Sequence, residues 1–291
     1  MEILPEVQQS WSRQDIEQRF GFNGGRFTRV NNWLSGLAAA ILTVTFYAAL
    51  IPLSKINTGT KYFCDMFTEQ GAVPYAICLL AAWSMWTLFI KSRKLAFQRE
   101  SLNHIVVPSD HDFVLSAKTV DEVTDRIFST VDDPKHFVVF NRILVALSNL
   151  RNLGRVSDVD DILRSQASQD ESSMETSYAV ISGFVWAIPV LGFIGTVLGL
   201  SAAIFSFGNV LQAGSSDFEE IKSALTDVTG GLGEAFITTL LALVAALIIQ
   251  LFLTFLKKSE EEFLDECSEY CTRNIVNKLR IMPYQSVQDE D

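Results

Sequence analysis

Residues 178–207 read YAVISGFVWAIPVLGFIGTVLGLSAAIFSF, without one Asp, Lys or Arg. A helix that crosses a bilayer needs about 20 mostly apolar residues, because each residue advances about 1.5 Å through hydrocarbon about 30 Å thick. This stretch is long enough. Three others join it, from about Trp33 to Ile51, Val73 to Ile90 and Ala235 to Leu256. None of these holds Asp, Lys or Arg, and Glu234 stands at the start of the last. The expected fold class is all-α, a polytopic membrane protein with four transmembrane helices and a helical cytoplasmic domain.

The bulk composition agrees. Of the 291 residues, 48% are hydrophobic, and the mean hydropathy of +0.23 is high for a soluble domain of this size. The formal net charge of -11 argues against a nucleic-acid partner. Residues 1–30 lack a charged start, a short apolar core and a small-residue cleavage site. The first apolar run is therefore expected to act as its own insertion signal. A polar helix is expected from Gln14 to Phe20, with a break at Gly24-Gly25.

Orientation follows from Lys and Arg near the span ends. Arg13, Arg19, Arg26 and Arg29 precede the first span, Lys91, Arg93, Lys94 and Arg99 follow the second, and Lys257 and Lys258 follow the fourth. The loop between spans one and two has only Lys55 and Lys61, and that between three and four only Lys222. The expected layout is a cytoplasmic segment 1–32, spans at 33–52 and 73–90 joined by an outer loop 53–72, and a cytoplasmic helical loop 91–177. Spans at 178–207 and 234–257 follow, joined by an outer loop 208–233, with a cytoplasmic tail 258–291.

Within 91–177, helical spacing runs from Asp121 to Val131 and from His136 to Gln166, with Phe140, Leu144, Leu147 and Leu150 on one side. Asp133-Pro134 marks the break between them. The acids Asp158, Asp160, Asp161, Asp170 and Glu171 read as a solvated face; a torque-receiving partner is the sharper alternative. The tail is expected to continue the fourth span as a helix over 259–280.

Cys64, Cys78, Cys267 and Cys271 form no CxxC pair, and His104, His111 and His136 lie far from the last two in sequence, so unpaired thiols and no metal site are expected. No nucleophile, base and ligand set clusters at a span end, so neither an enzyme nor a cofactor is expected. A claudin-like or tetraspanin-like adhesive protein would put paired cysteines in a large outer loop, whereas the outer loops here hold only Cys64.

Small and hydroxyl residues recur along the third span at Gly192, Gly195, Thr196, Gly199, Ala202 and Ala203, and along the fourth at Ala235, Thr239, Ala242 and Ala246. Glu234, Thr238 and Ala245 lie on an adjoining strip. Such faces let helix backbones approach closely in lipid, where no hydrophobic force draws helices together. Pro189 removes a backbone donor and is expected to bend the third span. On spacing alone these faces fit packing in a monomeric, non-conducting four-helix scaffold as well as they fit a pore.

The run Pro189-x-x-Gly192-x-x-Gly195-Thr196-x-x-Gly199 resembles the third-span signature of MotA and its relatives. The part Gly192-x-x-Gly195-Thr196-Val197-x-Gly199 is similar to the matching segment of TolQ and ExbB. Glu234 to Ala246, with Thr239 five residues after the glutamate, is similar to their last span. The likeness covers mainly residues 175–260, and four spans with a large second loop is the MotA arrangement. Two positions depart from it: Ala242 where Gly is common, and Ile248 where a proline is common.

The resemblance implies an ion-conducting, most simply proton-conducting, pore subunit of a MotA/TolQ/ExbB-type rotary motor in the bacterial inner membrane. It implies a homopentamer around two copies of a single-span MotB/TolR/ExbD-like partner whose transmembrane Asp carries H+ (or Na+). On that reading Thr196, Thr238 and Thr239 line the path and Glu234 collects cations at its outer mouth. Gly192, Gly195, Gly199 and Ala242 pack neighbouring helices, and Pro189 is a hinge.

Overall fold

A computed structural model describes residues 9–11, 15–19, 25–108, 114–116, 119–153, 156–212 and 218–279. Eight helices are found among them: α1 (Ile16–Arg19), α2 (Asn32–Leu53), α3 (Thr58–Thr68), α4 (Val73–Glu100), α5 (Val120–Thr130), α6 (Val138–Leu153), α7 (Val156–Gln212) and α8 (Phe218–Asn274). Short 3-10 turns occupy Ser101–Asn103, Pro134–His136 and Val276–Lys278. Among the described residues, extended pairing is confined to two isolated bridges, Gln9 with Val131 and Leu115 with Leu279. Stretches within α2, α4, α7 and α8 are each long and apolar enough to cross a membrane. The protein is an all-α polytopic membrane protein.

The chain divides into an apolar unit, Asn32–Phe89 with Tyr178–Phe255, and a polar unit made of the rest. In the apolar unit large side chains point outward: Trp33, Leu37, Phe193, Leu198, Phe236 and Leu247 are all more than half exposed. That inversion suits a hydrocarbon surround, where helices survive because each satisfies its own backbone groups. Hydroxyls do the same. Thr43, Ser84 and Thr87 donate to carbonyls one turn back at 2.8–2.9 Å. Trp83 ties α4 to α2 by donating to Ser35 Oγ (3.0 Å), and its ring lies 5.1 Å from that of Phe184 on α7. A Cβ on Gly36 would stand 2.9 Å from the Trp83 ring, so only glycine allows this approach.

Two stretches expected as loops contain helix. Within 53–72, α3 starts at an Asn57 capping box, with the Thr58 amide donating to Asn57 Oδ1 (2.8 Å) and the Asn57 amide to Thr60 Oγ1 (3.0 Å). Its Cys64 and Phe67 pack on Leu50. Within 208–233, α8 is already helical from Phe218. Glycines at 230, 231 and 233 fail to break it, because Gly231 is where the helix meets Ala203 closely. At Pro189, α7 continues as helix.

In the polar unit, α6 buries Phe140, Leu147 and Leu150 as expected, with Ile143 fully buried where Leu144 is half-buried. The helix expected over 136–166 appears as α6 and the start of α7, with 154–155 outside the described residues. Pro134 opens the turn before α6, where Asp133 accepts from the Lys135 amide at 3.2 Å. The tail helix ends at Asn274, short of 280. The expected polar helix over 14–20 reduces to α1, with Gln14 and Phe20 outside the described residues.

Asp170 departs from its expected place. It is 8% exposed and ion-paired at 2.7 Å with the Nε of Arg142, itself buried. Arg142 also donates to Ser268 Oγ (2.9 Å). Burial pushes the Asp170 carboxyl up, and Arg142 opposes it. Two further buried lysines are paired. Lys91 meets Glu260 at 3.1 Å, and Lys94 contacts Glu17 and, at 3.5 Å, Asp15.

The last two acids belong to a strap ahead of α2 that crosses the polar unit. Trp11 in this strap stacks on His136 with centroids 5.3 Å apart, and Gln9 donates to the Phe97 carbonyl at 3.0 Å. Burial also raises both α8 thiols, Cys271 to about 11, so Cys267 and Cys271 stay protonated and unreactive at neutral pH.

Candidate functional site: the α7–α8 seam

In the apolar unit α7 and α8 meet along a line of very small residues. A Cβ placed on Gly192 would lie 2.5 Å from Ala242 Cβ, and one on Gly195 would lie 2.9 Å from Thr238 Oγ1. One on Gly199 would reach Ala235 Cβ at 3.2 Å, and one on Gly231 would reach Ala203 Cβ at 2.9 Å. Moving from 192 to 203 on α7 runs down from 242 to 231 on α8. The helices are therefore antiparallel, and the contacts fall once per turn. Gly192, Gly195, Gly199 and Ala242, read from sequence as a packing face, thus form one continuous seam with Ala235, Ala203 and Gly231. Gly231 was missed because it sits among polar residues ahead of the expected span.

Two threonines meet on this seam. The Thr196 hydroxyl is hydrogen-bonded to that of Thr239. Thr196 Oγ1 also lies 3.0 Å from the Ala235 carbonyl and 3.2 Å from the Gly192 carbonyl, and Thr239 Oγ1 lies 3.1 Å from the Gly192 carbonyl. Two hydroxyl hydrogens are thus shared among two carbonyl oxygens and the facing hydroxyl. Both side chains are only half-buried. The arrangement is a compact polar spot, with several oxygens and no charge, in an otherwise apolar surround.

Thr238 sits differently. It is 3% exposed, donates to the Ala235 carbonyl at 2.8 Å and presses against Gly195, beside Val73 of α4. The structure therefore pairs Thr196 with Thr239 and turns Thr238 toward α4. Glu234 lies on α8 next to Ala235; its side chain lies outside the described residues. Pro189 lies one turn before Gly192 on α7.

Residues 138–269, which hold the whole seam, match the family described as the MotA/TolQ/ExbB proton channel family. That stretch, somewhat under half of the chain, is what it shares with the family. A curated protein from Synechocystis sp., whose name reads biopolymer transport protein ExbB-like 1, is 26% identical over 221 residues, covering 75% of this chain and 80% of that protein. No solved structure matches the chain. The MotA/TolQ/ExbB family is one of channel- and transport-associated membrane subunits.

Proposed function

We propose that this chain is the ion-conducting pore subunit of a MotA/TolQ/ExbB-type rotary motor in the bacterial inner membrane, with both termini cytoplasmic. It assembles as a homopentamer around two copies of a single-span MotB/TolR/ExbD-like partner, and ion-motive force becomes rotation of one set against the other. A path through about 30 Å of hydrocarbon needs an exchangeable charge. The four apolar runs hold no Asp, Glu, Lys or Arg, and Glu234 stands at the start of the fourth. The mobile charge is then an Asp of the partner, carrying H+ in preference to Na+.

The observation that carries this reading is the Thr196–Thr239 couple. Its oxygens can replace part of an ion's water while the glycines bring the backbones close enough to share them. Thr238 supports the couple from behind by fixing Gly195, and Glu234 gathers cations at the outer mouth. The test replaces Thr196 and Thr239 together by Val, which keeps shape and removes both hydroxyls. Proton flux through vesicles holding the purified complex with its single-span partner should fall at least about tenfold, a barrier rise of about 1.4 kcal/mol. Full flux would end the proposal.

One observation favours a second reading. Every hydroxyl of the couple is already bonded within the chain, which is also what a non-conducting structural scaffold requires. Thr196→Ser with Thr239→Ser separates the two. The hydroxyls remain and only the methyls go, so a pore keeps the flux of the unsubstituted complex, whereas a scaffold passes no ions in either form.

A further inference from the structure

The apolar unit carries a groove of about 590 Å³ on the side of α8 away from the couple, between α2 and α8 and floored by α4. The floor is Ile77, Cys78, Ala81 and Ala82, all buried or half-buried. The walls are exposed: Leu42 and Phe46 on α2, at 45% and 36%, face Val244 and Ile248 on α8, at 47% and 46%. The groove offers no polar atom in need of a partner. Thr43 and Thr45 spend their hydroxyls on the Ala39 and Ile41 carbonyls at 2.8 Å, and the Cys78 sulfur accepts from the Tyr47 hydroxyl at 3.5 Å. Whatever fills it is hydrocarbon.

Its length decides between a helix and something smaller. The walls span Leu42 to Ala49 and Leu241 to Ile248, about 10 Å of helix each, and the floor less, a third of the roughly 30 Å that a spanning helix traverses. At the α3 end the groove is lined by Phe67, whose ring stands edge-on to Phe46 with centroids 5.3 Å apart. Contact over so short a length suits a single flexible chain entering from the side better than a bilayer-spanning helix.

We propose that the groove is a binding site for one acyl chain of a phospholipid, taken from the leaflet on the α3 side and held between α2 and α8. The site requires only that the unit sit in a bilayer, and it stands apart from the ion-path reading. A lipid tail here would brace the back of the helix whose front carries Thr239 and Ala242.

The test uses the full-length protein in vesicles of phosphatidylethanolamine and phosphatidylglycerol, with a photoreactive diazirine residue placed at Val244 or, as an outward-facing control, at Leu37. Irradiation should give a phospholipid mass adduct at both positions. In Ala82→Phe with Ala245→Phe, which fills the groove from floor and wall, the Val244 adduct should be lost and the Leu37 adduct kept. The milder Ala82→Val with Ala245→Leu serves if the double Phe chain does not fold. A Val244 adduct that survives the filling marks ordinary surrounding lipid and overturns the site. A Val244 crosslink to a second copy of the chain, or to a partner helix, overturns it as well.

Discussion

The α7–α8 seam of the apolar unit and the Arg142–Asp170 pair of the polar unit are built by opposite means from the same two helices and α6. The seam is held by leaving side chains out, so that Gly192 and Gly231 bring backbone against Ala242 and Ala203. The pair is held by putting charge in, a guanidinium and a carboxylate both nearly out of solvent at 2.7 Å. In hydrocarbon, association comes from close packing because burial brings no gain. In a water-facing unit burial is available, and a buried charge is tolerable once its partner is in place. One long helix can therefore need glycine at one level and aspartate at another.

The largest effect is expected from breaking the polar side of this contrast. Arg142→Leu leaves Asp170 buried without its counter-charge and should cost about 3–5 kcal/mol, read as thermal unfolding of the purified protein in detergent. The comparison sharpens in Arg142→Met with Asp170→Leu. Removing both charges should recover most or all of that loss, and if it does not, the pair has a role beyond compensating itself.

Next comes the seam. Gly192→Val forces atoms into Ala242 and should cost about 1–3 kcal/mol by overpacking, with Gly192→Ala milder and eased by Ala242→Gly, which vacates the same spot. A seam tolerant of Gly192→Val would mean that the helices are not pressed together there. Smaller again is Thr238→Val. Its hydroxyl serves its own helix, so the change should cost no more than about 1 kcal/mol. It should also leave ion flux far less altered than the Thr196 and Thr239 pair of changes; an equal loss of flux would place Thr238 in the path. The smallest effect is expected at Arg164→Ala, which removes an exposed ion pair with Asp160 and should change stability by about 0.5 kcal/mol or less in the same melt.

Much of this was legible in the chain. The four apolar runs announce the spans because hydrocarbon imposes length and excludes charge. The period of Gly192, Gly195 and Gly199 announces a packing face because α-helical spacing is local. What the sequence withholds is which residue meets which. Nothing local says that Thr196 reaches Thr239 while Thr238 turns to Gly195, since that depends on how two helices distant in sequence are aligned.

Asp170 was equally opaque. It sits among acids that do face water, and only Arg142, distant in sequence, explains its burial. The strap before α2 escaped because its hold depends on Lys94, Phe97 and His136, all on other elements. Helix α3 escaped because it is short, and its evidence is one capping box and the packing of Cys64 and Phe67 on Leu50.

The seam has one mechanical consequence. A contact between long side chains can absorb a small displacement by changing rotamers, but a contact between a glycine backbone and an alanine methyl has nothing to bend. Repeated once per turn, such rungs leave α7 and α8 no slack within the apolar unit. A push on either helix there is passed whole to the other, and the two move as one rod.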